Sequence, residues 1–250
     1  MGLTVQVVTH NNESTIQATL QSLEPLDADI WVLDHNSTDN TVVLAKGLAN
    51  VKKITNRSQG RNALMAEAKN DWFLTVEPWE VLAAGHSSIL NAITKEDKAY
   101  RVFVSQGDIL TKEVRLWRRD SCGSFVGPVF ESLQPEPVAV ALNALFTATT
   151  VDNTDYTFPL VNEWRATAPV LPTPLYYEAM IHLAKFRWDD FICTADQFLF
   201  LSKSMSMPVV MTRYYLALAH CFARKNAHEA LKNLMVCLAL KPLMAEFWCL

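Results

Sequence analysis

The stretch Leu3 to Asp34, "LTVQVVTHNNESTIQATLQSLEPLDADIWVLD", decides the fold. "LTVQVVTH" is a short β-branched run, "ESTIQATLQSL" places Ile16, Leu20 and Leu23 at helical spacing, and "DIWVLD" is apolar again. This predicts strand, helix, strand. The rhythm continues with a helix over "TDNTVVLAKGLA", a strand at "VKKIT", a helix over "QGRNALMAEAK" and a strand at "WFLTV". Such a βαβ series predicts an α/β unit with a mostly parallel sheet and helices on its faces.

From Tyr100 the texture changes. "AYRVFVSQGDIL", "EVRLWRR" and "PVAVALNALFTATTV" read as strands without intervening helices, an antiparallel extension that closes the first unit over residues 1–150. "TFPLVNEWRATAPVLPTPL" then carries Pro159, Pro169, Pro172 and Pro174, a composition that predicts a linker over 151–173. Residues 174–250 read as helical hairpins with polar turns at Arg187 to Asp189 and Lys225 to Ala227. Ala230, Leu234 and Pro242 fall where a tetratricopeptide repeat puts its small, large apolar and closing residues, and "PLMAEFWCL" reads as the start of a third repeat. The chain is therefore expected to stop inside a repeat, with Phe247, Trp248 and Leu250 exposed for self-association. A plain helical cap on the first unit is the alternative.

The bulk numbers narrow the function classes. At 250 residues, half of them apolar, the chain can bury a good core, and a net charge of -4 offers no general attraction to phosphate backbones. Five cysteines show no close pair and no metal-type spacing, which predicts reduced core thiols. With no apolar run of about 20 residues and an N-terminus that turns polar after one strand, neither a membrane span nor a signal peptide is expected. Cytoplasmic is the expected location.

In an open parallel sheet, ligands collect at the carboxyl ends of the strands. Three polar clusters fall there: "THNNE" (Thr9 to Glu13), "LDHNSTDNT" (Leu33 to Thr41) and "VEPWE" (Val76 to Glu80). With them, "VVTHNNESTIQATLQSL", "DIWVLDHNSTDNT", "GRNALMAEAKNDWFLTVEPWEVL" and "RLWRRDSCGSFVGPVFESL" resemble, in order and spacing, the family 2 glycosyltransferases of the GT-A fold, and more narrowly those with a tetratricopeptide tail. The resemblance implies that Thr9, His10, Asn11 and Glu13 line the base and ribose, and that Asp34 accepts a hydrogen bond from a pyrimidine N–H. It also implies that Arg61 and Asn62 are the pair that reaches the diphosphate. Arg118, in a cluster with Arg115 and Arg119, is expected to be a further phosphate contact.

Sugar transfer from a nucleotide diphosphate needs stabilisation of the leaving group and a base for the acceptor proton. The family's Asp-x-Asp metal motif reads Glu77-Pro78-Trp79 here, leaving Glu77 as the one candidate metal ligand. Further on, Phe130 stands where related tailed members have a histidine, while Glu131 remains. A divalent metal (Mn or Mg), which the resemblance implies, is put in doubt by both departures. Glu131 is the candidate base, with Glu80 or Asp108 in reserve. The resemblance thus implies transfer, with inversion, from a UDP-sugar to a macromolecular acceptor (peptide, glycan or modified nucleic acid) held partly by the helical tail. The alternative is a binding or scaffold protein on a decayed enzyme fold.

Overall fold

In a computed structural model of the chain, residues 2–248 are described. They fall into two compact units, residues 1–152 and 153–250. The first is an α/β unit built on one sheet of eight strands: β1 (Leu3–Thr9), β2 (Asp29–Asp34), β3 (Asn50–Lys53), β4 (Trp72–Val76), β5 (Glu80–Ala84), β6 (Ala99–Gln106), β7 (Ile109–Arg118) and β10 (Val140–Ala148). A separate small ribbon pairs β8 (Ser124–Val126) with β9 (Ser132–Gln134).

The large sheet runs β3-β2-β1-β4-β7-β6-β10-β5. Its first half is parallel: β1 lies between β2 and β4, and β3 flanks β2. Its second half is mixed, because β7 runs antiparallel to β4 and β6, while β10 is parallel to β6 and antiparallel to β5. Every residue of β1 is buried, as a central strand covered on both faces requires. On one face Val5 and Val7 pack with Ile16, Leu20 and Leu23 of α1 (Ile16–Leu23). On the other, Val8 and Leu33 pack with Leu64 of α3 (Arg57–Glu67). The remaining helices of this unit, α2 (Thr41–Ala45) and α4 (His86–Ala92), are short. Before α4 the chain passes Gly85 at φ +98, where a Cβ would stand 2.5 Å from the β10 backbone, so only glycine fits.

The second unit is helical: α5 (Thr154–Thr167), α6 (Pro172–Ala184), α7 (Trp188–Leu201), α8 (Met207–Leu218) and α9 (Ala227–Leu240). The expected hairpins are α6/α7 and α8/α9, and their turns carry Phe186 and Lys225 at positive φ. The proline-rich segment is a correction. It is not an extended linker, because α5 runs through Pro159, and Pro172 opens α6 at its first position, where a missing N–H costs nothing. Arg165 of α5 anchors it to α6 by donating to both carboxylate oxygens of Glu178, at 2.8 and 2.7 Å.

The apolar end needs correcting too. Phe247 is fully buried against Val210 and Cys237, whereas Trp248 is exposed and Leu250 lies outside the described residues. Of the described cysteines, all free, only Cys237 is buried, so the core-thiol expectation holds for that one alone. No helix among the described residues is long and apolar enough to cross a membrane.

Candidate active site

The loops that follow β1 and β2 lock into each other at the carboxyl edge of the sheet. Asn12 accepts from the Thr9 hydroxyl at 2.9 Å and from the His10 N–H at 3.0 Å, and its own N–H donates to Thr41 Oγ1 at 2.7 Å. Asn11, held at φ +52, accepts from the Thr38 N–H at 2.7 Å, and Glu13 accepts from the Asn40 N–H at 2.9 Å. The His10 ring donates to the His35 carbonyl at 2.7 Å. The polar side chains of "THNNE" thus spend much of their hydrogen-bonding capacity on the neighbouring loop and give this edge its shape.

Asp34 is different. It ends β2 fully buried; Oδ1 accepts from the Ser37 N–H at 3.2 Å, while Oδ2 has no partner among the described residues. A buried carboxylate oxygen left unpaired is costly, so this oxygen has an unfilled demand for a donor.

The second half of the site gathers three guanidiniums and four carboxylates; Glu113, on β7 beside Arg115, accepts from the Arg115 Nε at 3.1 Å. Glu77 and Glu80 come from a tight turn after β4, closed by the Glu80 N–H donating to the Glu77 carbonyl at 3.0 Å. Glu77 faces Arg61 at 3.5 Å, Arg115 at 3.7 Å and Arg57 at 3.9 Å. Glu131 is bound more closely: the Nε groups of Arg61 and Arg57 donate to it at 2.8 and 3.0 Å. Glu80 accepts from Arg115 at 2.8 Å and from the Glu77 N–H at 2.9 Å. Arg57 and Arg61 share one face of α3 because they lie four residues apart, a spacing that would have pointed to Arg57 from the sequence.

These pairings separate the two expected catalytic carboxylates. For Glu131, burial pushes the pKa up but Arg57 and Arg61 outweigh it and hold it down at about 2. A group that releases its proton so readily is a poor base, and its oxygens accept from two arginines of α3, which ties that helix to the loop before β9 and counts against the expected role. For Glu80, burial pushes the pKa up to about 7, with Arg115 opposing and Glu77 reinforcing. Glu80 has the proton affinity a base needs.

Arg115, not Arg118, belongs to this site. Side chains alternate along β7, so the two arginines leave opposite faces; Arg118 is bound to Asp120 at 2.9 Å, and Arg119 donates to the carbonyls of Ala68 and Asn70. The expected arginine cluster is therefore dispersed. Asn62 is also committed elsewhere, clamping β8 by exchanging hydrogen bonds with the Phe125 N–H at 2.8 Å and the Phe125 carbonyl at 2.9 Å. Asp108 sits in the β6–β7 turn, away from these residues in the chain and exposed.

A cavity of about 370 Å³ opens beside the cluster, with Arg61, Thr75, Glu77, Arg115 and Glu131 in its wall. Two buried donors of that wall have no partner among the described residues: Arg61 Nη1 and Thr75 Oγ1. No group of three metal-ligating side chains occurs among the described residues. A divalent ion on Glu77 would stand beside three guanidiniums, each of which repels it. Such an ion wants several hard oxygens, and the other carboxylates, Glu80, Glu113 and Glu131, are already taken by arginine, so these residues do not fit it.

Residues 4–78 match the family model described as glycosyl transferase family 2. This stretch, β1 to β4 and the first residues of the Glu77–Glu80 turn, is similar to glycosyl transferase family 2, and the rest of the chain lies outside the match. A comparison with curated proteins returned no match. Among solved structures, the chain is similar to S. aureus TarS 1-349 at 13% identity, over 93% of this chain and 90% of that one, with a TM-score of 0.48. It is similar to the mannosyltransferase PcManGT from Pyrobaculum calidifontis, in complex with GDP-Man and Mn2+, at 17% identity, over 97% of this chain and 87% of that one, with a TM-score of 0.46. Likenesses this remote carry nothing about chemistry.

Proposed function

We propose that this family 2 glycosyltransferase moves a sugar, with inversion, from a UDP-sugar to a hydroxyl of a macromolecular acceptor. The observation that supports the donor reading is the buried, unpartnered Oδ2 of Asp34 at the carboxyl edge between two parallel strands. A pyrimidine N–H answers that demand, with His10 and the interlocked loops beside it, and purines lack an N–H flanked by two carbonyls in the same arrangement. In the transfer step the acceptor oxygen attacks the anomeric carbon in line, the bond from that carbon to the diphosphate breaks, and the diphosphate leaves with the electron pair. The hydroxyl proton goes to Glu80.

The helical unit, with its two hairpins, is read as a tetratricopeptide-like arm that holds an extended acceptor such as a peptide or glycan. The scaffold reading draws on one observation, the locking of Glu131 between two arginines.

Titration with UDP and assay of donor hydrolysis separate the readings. Asp34→Ala should weaken UDP binding by about tenfold or more, the worth of a buried hydrogen bond to a charged group. Wild-type binding with no hydrolysis or transfer on any acceptor would leave the scaffold, and unchanged UDP affinity in the variant would remove Asp34 from the donor site.

A further inference from the structure

The cavity beside Glu77 holds the second half of the donor reading, and this inference rests on that reading. In its wall, Arg61 is 1% exposed, with Nε bound to Glu131 and Nη1 bound to nothing among the described residues, and Thr75 is 7% exposed with its hydroxyl unpaired. Both unpaired atoms can donate, and the guanidinium can only donate. A cavity wall that offers buried, unpaired donors beside two arginines seeks oxygen atoms, and it offers no oxygen cluster for a cation.

We infer that this transferase holds the donor diphosphate without a divalent metal, through Arg61 and Arg115, and that Glu77 is a positioning residue for those guanidiniums. Glu77 suits that task by distance. Its contacts to Arg61, Arg115 and Arg57 are 3.5, 3.7 and 3.9 Å, longer than direct hydrogen bonds, so it steers three cations without consuming their donors. Glu131 and Glu80, at 2.8 Å from their arginines, fix the other ends of the same side chains. Arg61 is held at Nε and open at Nη1, while Arg115 is held at Nε by Glu113 and at Nη2 by Glu80 and Glu113, which leaves its Nη1, 3.7 Å from Glu77, as the nitrogen for a phosphate oxygen. Fixed arginines supply, at no cost of reorganisation, the charge stabilisation that a metal would otherwise bring to the leaving group.

The test uses the full chain and three probes, uridine, inorganic pyrophosphate and UDP, titrated calorimetrically in EDTA and in manganese. UDP should bind with the same affinity in both buffers to within about twofold, and at least about tenfold more tightly than uridine in EDTA. Arg61→Lys should lower UDP and pyrophosphate affinity by about tenfold or more and leave uridine affinity unchanged, so uridine binding doubles as proof that the variant is folded. Glu77→Gln should weaken UDP equally in both buffers. A UDP affinity that appears only with manganese, or a Glu77→Gln defect confined to manganese, would overturn the inference while leaving the donor reading intact. If uridine and UDP both fail to bind in either buffer, the donor reading falls and takes this inference with it.

Discussion

Replacing Glu131 by glutamine tests whether this carboxylate is an anchor or a base. The change keeps the shape and removes the charge, leaving Arg57 and Arg61, whose side chains are 9% and 1% exposed, without their shortest partner. Lowering a carboxyl from its ordinary 4.5 to about 2 corresponds to ~3 kcal/mol in favour of the ionised, folded form, and breaking a buried pair costs about 3–5 kcal/mol. Glu131→Gln should therefore lose ~3 kcal/mol at neutral pH. Because its folded pKa is depressed, that contribution is complete above 4.5 and is lost as pH falls toward about 2, so the gap between variant and wild type should shrink over that window. Native-state hydrogen exchange on peptides from α3 and β7 reads the first unit separately from the helical one, which a global melt would not. Wild-type protection combined with a turnover loss of about a hundredfold or more would refute the anchor and restore Glu131 as the base.

Other outcomes follow from the same geometry. Glu80 has a raised pKa, so its contribution to stability is present below 4.5 and is lost as pH rises through about 7; Glu80→Gln should flatten that decline, worth up to ~3 kcal/mol, in exchange-monitored stability across the window, and should abolish transfer while UDP still binds. Asn62→Ala removes both hydrogen bonds to the Phe125 backbone and should cost ~2 kcal/mol, seen as faster exchange in β8. Phe247→Ala should cost about 3–5 kcal/mol in the helical unit, measured by exchange in α8 and α9, since its buried ring packs on Tyr214 with centroids 5.2 Å apart.

The parallel half of the sheet was legible because each of its elements follows from local pattern: β-branched runs give strands, and Ile16, Leu20 and Leu23 mark a helix face. The edge where the site lies followed from topology, since loops after parallel strands must emerge on one side. Asp34 and Glu77 could be placed at that edge for that reason. The expected linker failed because composition registers proline without context. Pro159 is carried within α5, whose Arg165 is bound to Glu178 on α6, a side-chain pairing that composition does not register.

By itself, the sequence determined the strand-helix order and the polar edge on which Glu77 lies. Only the tertiary structure decided what surrounds Glu77. Three arginines from α3 and β7 converge on carboxylates from the β4–β5 turn and from the loop before β9, across separations of up to 74 residues. The role of each carboxylate depends on which cation reaches it and how deeply both are buried. Those are distances between elements, and charge interactions are fixed by distance in space rather than along the chain.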